Sequence, residues 1–91
     1  MSETVERWHI IRPRVESVLG AAVSVVDPTQ GRHGLSRCWR VSAGEHIAYL
    51  KCFDSGRGFE QEREFYRFAS GLSGIPQMLN CWDDTPAFLL S

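Results

Sequence analysis

Cys38-Trp39-Arg40-Val41-Ser42-Ala43-Gly44-Glu45-His46-Ile47-Ala48-Tyr49-Leu50-Lys51-Cys52-Phe53 is the stretch on which the fold turns. Two runs rich in β-branched and aromatic residues, 38–41 and 46–53, flank Ser42-Ala43-Gly44-Glu45, a polar link with a glycine, and the pattern predicts a β-hairpin. Side chains alternate along a strand, so Ile47, Tyr49, Lys51 and Phe53 share one face of the second strand while Ala48, Leu50 and Cys52 share the other. The lysine therefore stands on an otherwise apolar face.

Downstream, Asp54-Ser55-Gly56-Arg57-Gly58 leads into a helical segment, 59–70, closed by Gly71. On a wheel of about 100° per residue, Phe59, Phe65, Tyr66, Ala69 and Leu72 fall in one arc, and Glu62 falls inside it. Glu60, Arg63, Glu64 and Arg67 fall opposite, where Glu60 with Arg63 and Glu64 with Arg67 are spaced to pair on a solvated face. Ile75-Pro76 begins an extended stretch through Met78 and Leu79, Asp83-Asp84 form a turn, and Ala87-Phe88-Leu89-Leu90 make a last strand. Upstream, Val5, Trp8, Ile11, Val15, Val18 and Leu19 recur at helical spacing, with Gly20 as a stop. Pro13 lacks the backbone donor, which predicts a helix kinked at Pro13 or beginning there. Residues 22–26 read as a first strand ended by Asp27-Pro28, and Thr29-Gln30-Gly31-Arg32-His33-Gly34-Leu35-Ser36 is rich in turn formers. The order is helix, three strands, helix, two strands. This is an α+β domain over 1–91, with a five-stranded antiparallel sheet.

Composition bounds the function. The chain has 91 residues, 43% hydrophobic and 23% charged, with a formal net charge of −1, which suits one small globular domain rather than a disordered or fibrous chain. Balanced charge without a Lys/Arg stripe speaks against a nucleic-acid partner, because phosphate neutralisation supplies most of that affinity. No apolar run reaches the length of about 18–20 residues that spans a bilayer, and Met1-Ser2-Glu3-Thr4 lacks the pattern of a secretion signal. Cys38, Cys52 and Cys81 are odd in number and widely spaced, which predicts reduced thiols and a cytoplasmic, soluble protein that neither spans nor binds a membrane. With His33 and His46 they lack the short pair spacing of structural zinc sites, so they read as packed small hydrophobes and no metal is expected on them.

The chemistry concentrates on two residues. Glu62 is the acid of its helix aimed at the sheet, where a carboxylate costs several kcal/mol (roughly 3–5 if left unpaired) without a positive partner. Lys51 is the only lysine in the sequence, against nine arginines. A lone lysine on a strand is ordinarily a surface residue; an inward glutamate on the next helix changes that reading. A compact ammonium on a flexible stem reaches a phosphate and a carboxylate in one narrow site, where a planar guanidinium would impose its own geometry.

A glycine-containing loop, then a strand with Lys, then a helix with an inward Glu is the arrangement by which kinases hold ATP. On these residues the chain resembles the N-terminal lobe of the aminoglycoside phosphotransferase family, within the wider kinase-like group that includes choline kinases. Tyr49-Leu50-Lys51 is similar to that family's third strand and Phe59-Glu60-Gln61-Glu62-Arg63-Glu64 to its glutamate-bearing helix. Ile75-Pro76-Gln77-Met78-Leu79 resembles the segment after that helix, and Phe88-Leu89-Leu90-Ser91 the strand entering the hinge. The resemblance implies ATP as ligand, with Tyr49 stacked on adenine, Lys51 on the α- and β-phosphates and Glu62 orienting Lys51. Gly31-Arg32-His33-Gly34-Leu35-Ser36 departs from the protein-kinase G-x-G-x-x-G; Gly34 and Ser36 are the positions chosen for phosphate contact.

The same resemblance places the catalytic aspartate, its asparagine and the Mg2+-binding aspartate in a C-terminal lobe beyond Ser91. The expectation is thus an ATP-binding half of a small-molecule phosphotransferase, a fragment or split subunit, inactive alone. It would meet a C-terminal lobe or partner protein, or self-associate through a surface around Phe88, Leu89 and Leu90. The alternatives are a free-standing protein-interaction or regulatory module with the same fold, and an unrelated α+β domain in which Lys51 and Glu62 are a structural ion pair.

Overall fold

The computed structural model describes residues 3–28, 36–54 and 56–91, with side chains from Arg7 in the first segment and from Arg37 in the second. Seven elements follow one another: α1 (Glu3–Leu19), β1 (Val23–Pro28), β2 (Ser36–Ala43), β3 (His46–Phe53), α2 (Gly56–Phe68), β4 (Met78–Trp82) and β5 (Ala87–Leu90). The strands form one antiparallel sheet in the order β1-β2-β3-β5-β4. This is the α+β architecture the sequence predicts.

The hairpin is tighter than the polar link suggested. Ala43 pairs with His46, so Gly44 and Glu45 alone make the turn and both strands run to its edge. Gly44 sits at φ 61°, the positive value that the first central position of a type II′ turn requires, and a Cβ there would meet the Ala21 Cβ at 3.3 Å. A side chain at this position would face both strain and a close neighbour.

The sheet is covered differently on its two faces. On one, α1 lays Ile11 and Val15, one turn apart, against Val23, Val41, Ala43, Ala48, Leu50, Cys52, Ala87 and Leu89, all buried, with Trp8, Val18, Leu19, Trp39 and Trp82 around them. Pro13 lies inside this helix, which runs unbroken from Glu3 to Leu19 and does not begin at Pro13. The apolar stripe on both sides of the proline is what holds it: burying Ile11 before it and Val15 after it outweighs the one backbone bond that proline forgoes. At the helix end, Glu16 accepts from the Val23 amide (2.7 Å) and Arg12 donates to the Val23 carbonyl (3.3 Å), which turns the chain into β1. That strand continues through Asp27 and Pro28, past the expected stop, because β1 is an edge strand and proline is tolerated there.

On the opposite face, α2 covers the end of the sheet formed by β3, β5 and β4. Phe53, Phe59, Phe88 and Leu90 are buried together, flanked by Tyr66, Met78 and Cys81. Phe53 meets Phe59 and Phe88 at ring-centroid distances of 5.7 and 5.1 Å.

Two expectations about this face are corrected. Phe65 and Leu72, placed on the inner arc, are exposed, and the covered stripe is Phe59, Glu62, Arg63, Tyr66 and Ala69. Arg63 consequently is half-buried and pairs with Asp83 at 2.6 Å rather than with Glu60, whereas the Arg67–Glu64 pair forms as spaced, at 3.2 Å. The second correction concerns β5. Phe88 and Leu89 are 0% exposed and Leu90 5%, so the last strand presents no apolar surface for association. It is inserted between β3 and β4 with an element over each face, and is the most enclosed strand of the sheet. Among the described residues, no helix is long and apolar enough to cross a membrane.

Candidate functional site

The site is built on the half of the sheet that α2 leaves uncovered. Across this face the register aligns Cys38 of β2 with Lys51 of β3 and Phe88 of β5, and, one pair along, Arg40 with Tyr49 and Leu90. Residues directly opposite on neighbouring strands share a face, so Lys51 and Tyr49 stand side by side on it, two residues apart in sequence. Lys51 lies under the edge of α2 and is mostly covered; Tyr49 lies beyond that edge and is exposed, as is Ile47. The lysine's face is therefore apolar in composition but open to solvent over its Ile47–Tyr49 end, because a helix of this length reaches only half of the sheet.

Lys51 Nζ donates to Glu62 Oε1 of α2, a direct ion pair between the third strand and the helix that follows it. The lysine side chain is 15% exposed and the glutamate 36%, so the carboxylate keeps part of its surface in water at the helix edge while the ammonium is held beneath it. The ammonium also lies 5.7 Å from the centre of the Phe53 ring, two residues along the same face. An ammonium carries three N–H donors, so the bond to Glu62 leaves it donors to spare for a second, anionic acceptor. The residues brought together are thus Lys51, Glu62 and Tyr49.

Of the other expected positions, Ser36 is the first residue of β2 and its backbone pairs with Phe53, next to the segment that joins β1 to β2. Gly34 lies outside the described residues, as does the rest of 29–35. Asp83 and Asp84 form the β4–β5 turn as expected, and they do more than turn the chain. Asp83 accepts from Arg63 of α2 at 2.6 Å, and Asp84 accepts two hydrogen bonds from Arg14 of α1, at 2.6 and 2.8 Å. The Arg14 guanidinium holds the Asp84 carboxyl below its ordinary range, through those hydrogen bonds first and its charge second. Neither pairing was legible from spacing, since the partners are 20 and 70 residues apart.

None of the three cysteines is in a disulfide. Cys52 sits under α1, where burial pushes its thiol up to about 12, so it is protonated and unreactive at neutral pH. In comparisons with models of protein families, with curated proteins and with solved structures, nothing matches this chain.

Proposed function

We propose that this chain is the nucleotide-binding half of a kinase-like small-molecule phosphotransferase, of the aminoglycoside phosphotransferase and choline kinase type. The observation that carries the reading is the ion pair between Lys51 on the third strand and Glu62 on the next helix, with the exposed ring of Tyr49 beside it on the same face. In kinases the corresponding pair must be closed for the lysine to hold the α- and β-phosphates. Here Lys51 would neutralise those phosphates, Glu62 would fix the ammonium between them and the helix, and Tyr49 would give the adenine ring an aromatic platform.

ATP fits the residues present, because a positioned cation and an exposed aromatic ring stand on one solvent-facing surface. Mg2+ does not fit them: among the described residues no three His, Cys, Asp or Glu side chains converge, and no step is assigned to the ion on this chain. On this reading, the metal ligands and the group that orients the acceptor hydroxyl come from a second lobe. The acceptor is bound there as well. Binding to this half alone should be weak, since most of the nucleotide stays in water. Thermal-shift titration with millimolar Mg-ATP tests it: the wild-type chain is expected to respond, with Lys51→Ala abolishing the response and Tyr49→Ala reducing it. A chain whose melting temperature is indifferent to ATP, with wild type and Lys51→Ala alike, would remove the support for nucleotide binding.

A second reading, a kinase-lobe-like interaction module, draws on a different observation. Phe65, Phe68 and Leu72 project from the outer side and end of α2, with Phe68 91% exposed. Large apolar side chains clustered at a helix end are a common signature of a protein contact. An absent ATP response together with a partner bound through Phe68 would favour this module.

A further inference from the structure

We propose that Asp83 and Arg63 form a positioning pair that aims Glu62 at Lys51. The inference rests on reading Lys51 and Glu62 as a phosphate-binding pair, and it assigns to the β4–β5 turn the control of whether that pair is closed.

Apart from these ion pairs, α2 meets the sheet through the rings of Phe59 and Tyr66, contacts that are apolar and therefore non-directional. Such contacts hold a helix against a sheet but leave its rotation and axial position weakly determined. Glu62 and Arg63 remove that freedom. They are consecutive and diverge by about 100° around the helix, and they are tied to different elements, Glu62 to β3 and Arg63 to the turn between β4 and β5. A rotation of α2 that keeps one contact loses the other.

Arg63 is the anchored member of its pair. Its guanidinium carbon lies 5.1 Å from the centre of the Phe59 ring, its side chain is 23% exposed against 77% for Asp83, and its Nε is buried without a hydrogen-bond partner. With Nε unsatisfied, the 2.6 Å contact from Nη1 to Asp83 Oδ1 is what compensates for tucking the guanidinium against the ring. The neighbouring Asp84 holds Arg14 of α1, on the opposite face of the sheet. One turn thus grips both helices, and each aspartate has its own helix.

When a binding-competent arrangement is only partly populated, apparent affinity falls by that fraction. An exposed pair shifts such a balance modestly, so losing Asp83 is expected to weaken ATP binding by about two- to five-fold. The test uses the full chain labelled in lysine, where Lys51 gives the single side-chain signal, and follows the nuclear Overhauser cross-peak between Lys51 Hε and Glu62 Hγ without nucleotide. Asp83→Asn, a change at an exposed position that keeps the turn, should weaken this cross-peak, and Asp83→Glu should restore it. Asp84→Asn should leave it unchanged, since Asp84 holds α1. An undiminished cross-peak in Asp83→Asn, or equal weakening in Asp84→Asn, would overturn the proposal. An ATP titration of the same samples separates the two readings: if the wild type fails to bind, nucleotide binding falls, while the cross-peaks still decide what positions Glu62.

Discussion

Under α1 the sheet buries an apolar cluster, from Ile11 and Val15 on the helix to Val41, Leu50 and Leu89 on three strands. Under α2 the covered half is aromatic, the uncovered half ends in exposed Ile47 and Tyr49, and Lys51 lies at the boundary, paired with Glu62. The contrast runs along a single strand. In β3, Ala48, Leu50 and Cys52 serve the first face, and Tyr49, Lys51 and Phe53 serve the second. Period-two alternation lets one strand belong to a core and a site at once. The face that carries the charge is the one whose helix brings a carboxylate to a cation on the sheet.

The comparison predicts its largest effect on the α1 face. Leu50→Ala should destabilise the domain by about 2–5 kcal/mol, enough to unfold much of a protein of this size, whereas Tyr49→Ala, one residue away on the other face, should change stability by less than about 0.5 kcal/mol. Urea denaturation of the two variants reads the difference, and equal losses would mean that the faces are not energetically distinct.

A smaller effect is expected for the ion pair. A double-mutant cycle with Lys51→Met and Glu62→Gln should return a coupling of about 1 kcal/mol or less that shrinks in high salt, because Glu62 is partly in water. A coupling of several kcal/mol would mark a buried structural pair and would favour an α+β domain without a ligand.

The pH dependence separates the buried core under α1 from the exposed ion pair that holds the same helix. The Cys52 thiol is raised from its ordinary 9.0 to about 12 by burial. Between those values the unfolded chain loses the thiol proton and the folded one keeps it, so the contribution is intact below pH 9.0 and stability declines as pH rises toward about 12. In Cys52→Ala that part of the decline should vanish, as measured by denaturation across the alkaline range. The least effect is expected at Asp84. Its carboxyl is held below the ordinary 3.8, so its contribution is present above that value and lost as pH falls beneath it. Asp84→Asn should show its whole effect at neutral pH, small because the pair with Arg14 is exposed, and its difference from the wild type should fade on acidification and in salt.

Much of this was legible in the residues, and the rest fails for identifiable reasons. Alternation in 46–53 and the helical spacing after Gly58 are local, and they placed the hairpin, α2 and the approach of Glu62 to Lys51. The enclosure of Phe88, Leu89 and Leu90 was not legible, since it depends on β5 inserting between β3 and β4, a choice made by non-local pairing. Pro13 was read as a boundary because its local chemistry is a helix breaker; the burial of Ile11 and Val15 on either side overrides it. Arg63 falls on the solvated side of the wheel when the inner arc is centred about 50° away from its true direction, as it is with Phe65 and Leu72 counted inward. Its true partner, Asp83, lies in a turn that sequence alone shows only as a turn.

The central claim, that the open half of the α2 face binds nucleotide through Lys51 and Tyr49, meets its most direct test in one titration. Mg-ATP is added to the full chain labelled in lysine, tyrosine and leucine, and the Lys51 Hε, Tyr49 ring and Leu50 methyl resonances are followed by NMR. Saturable shifts at both residues in the millimolar range are predicted, with the Leu50 methyls beneath α1 nearly still. Lys51 and Tyr49 resonances that stay in place at saturating ATP would contradict the account.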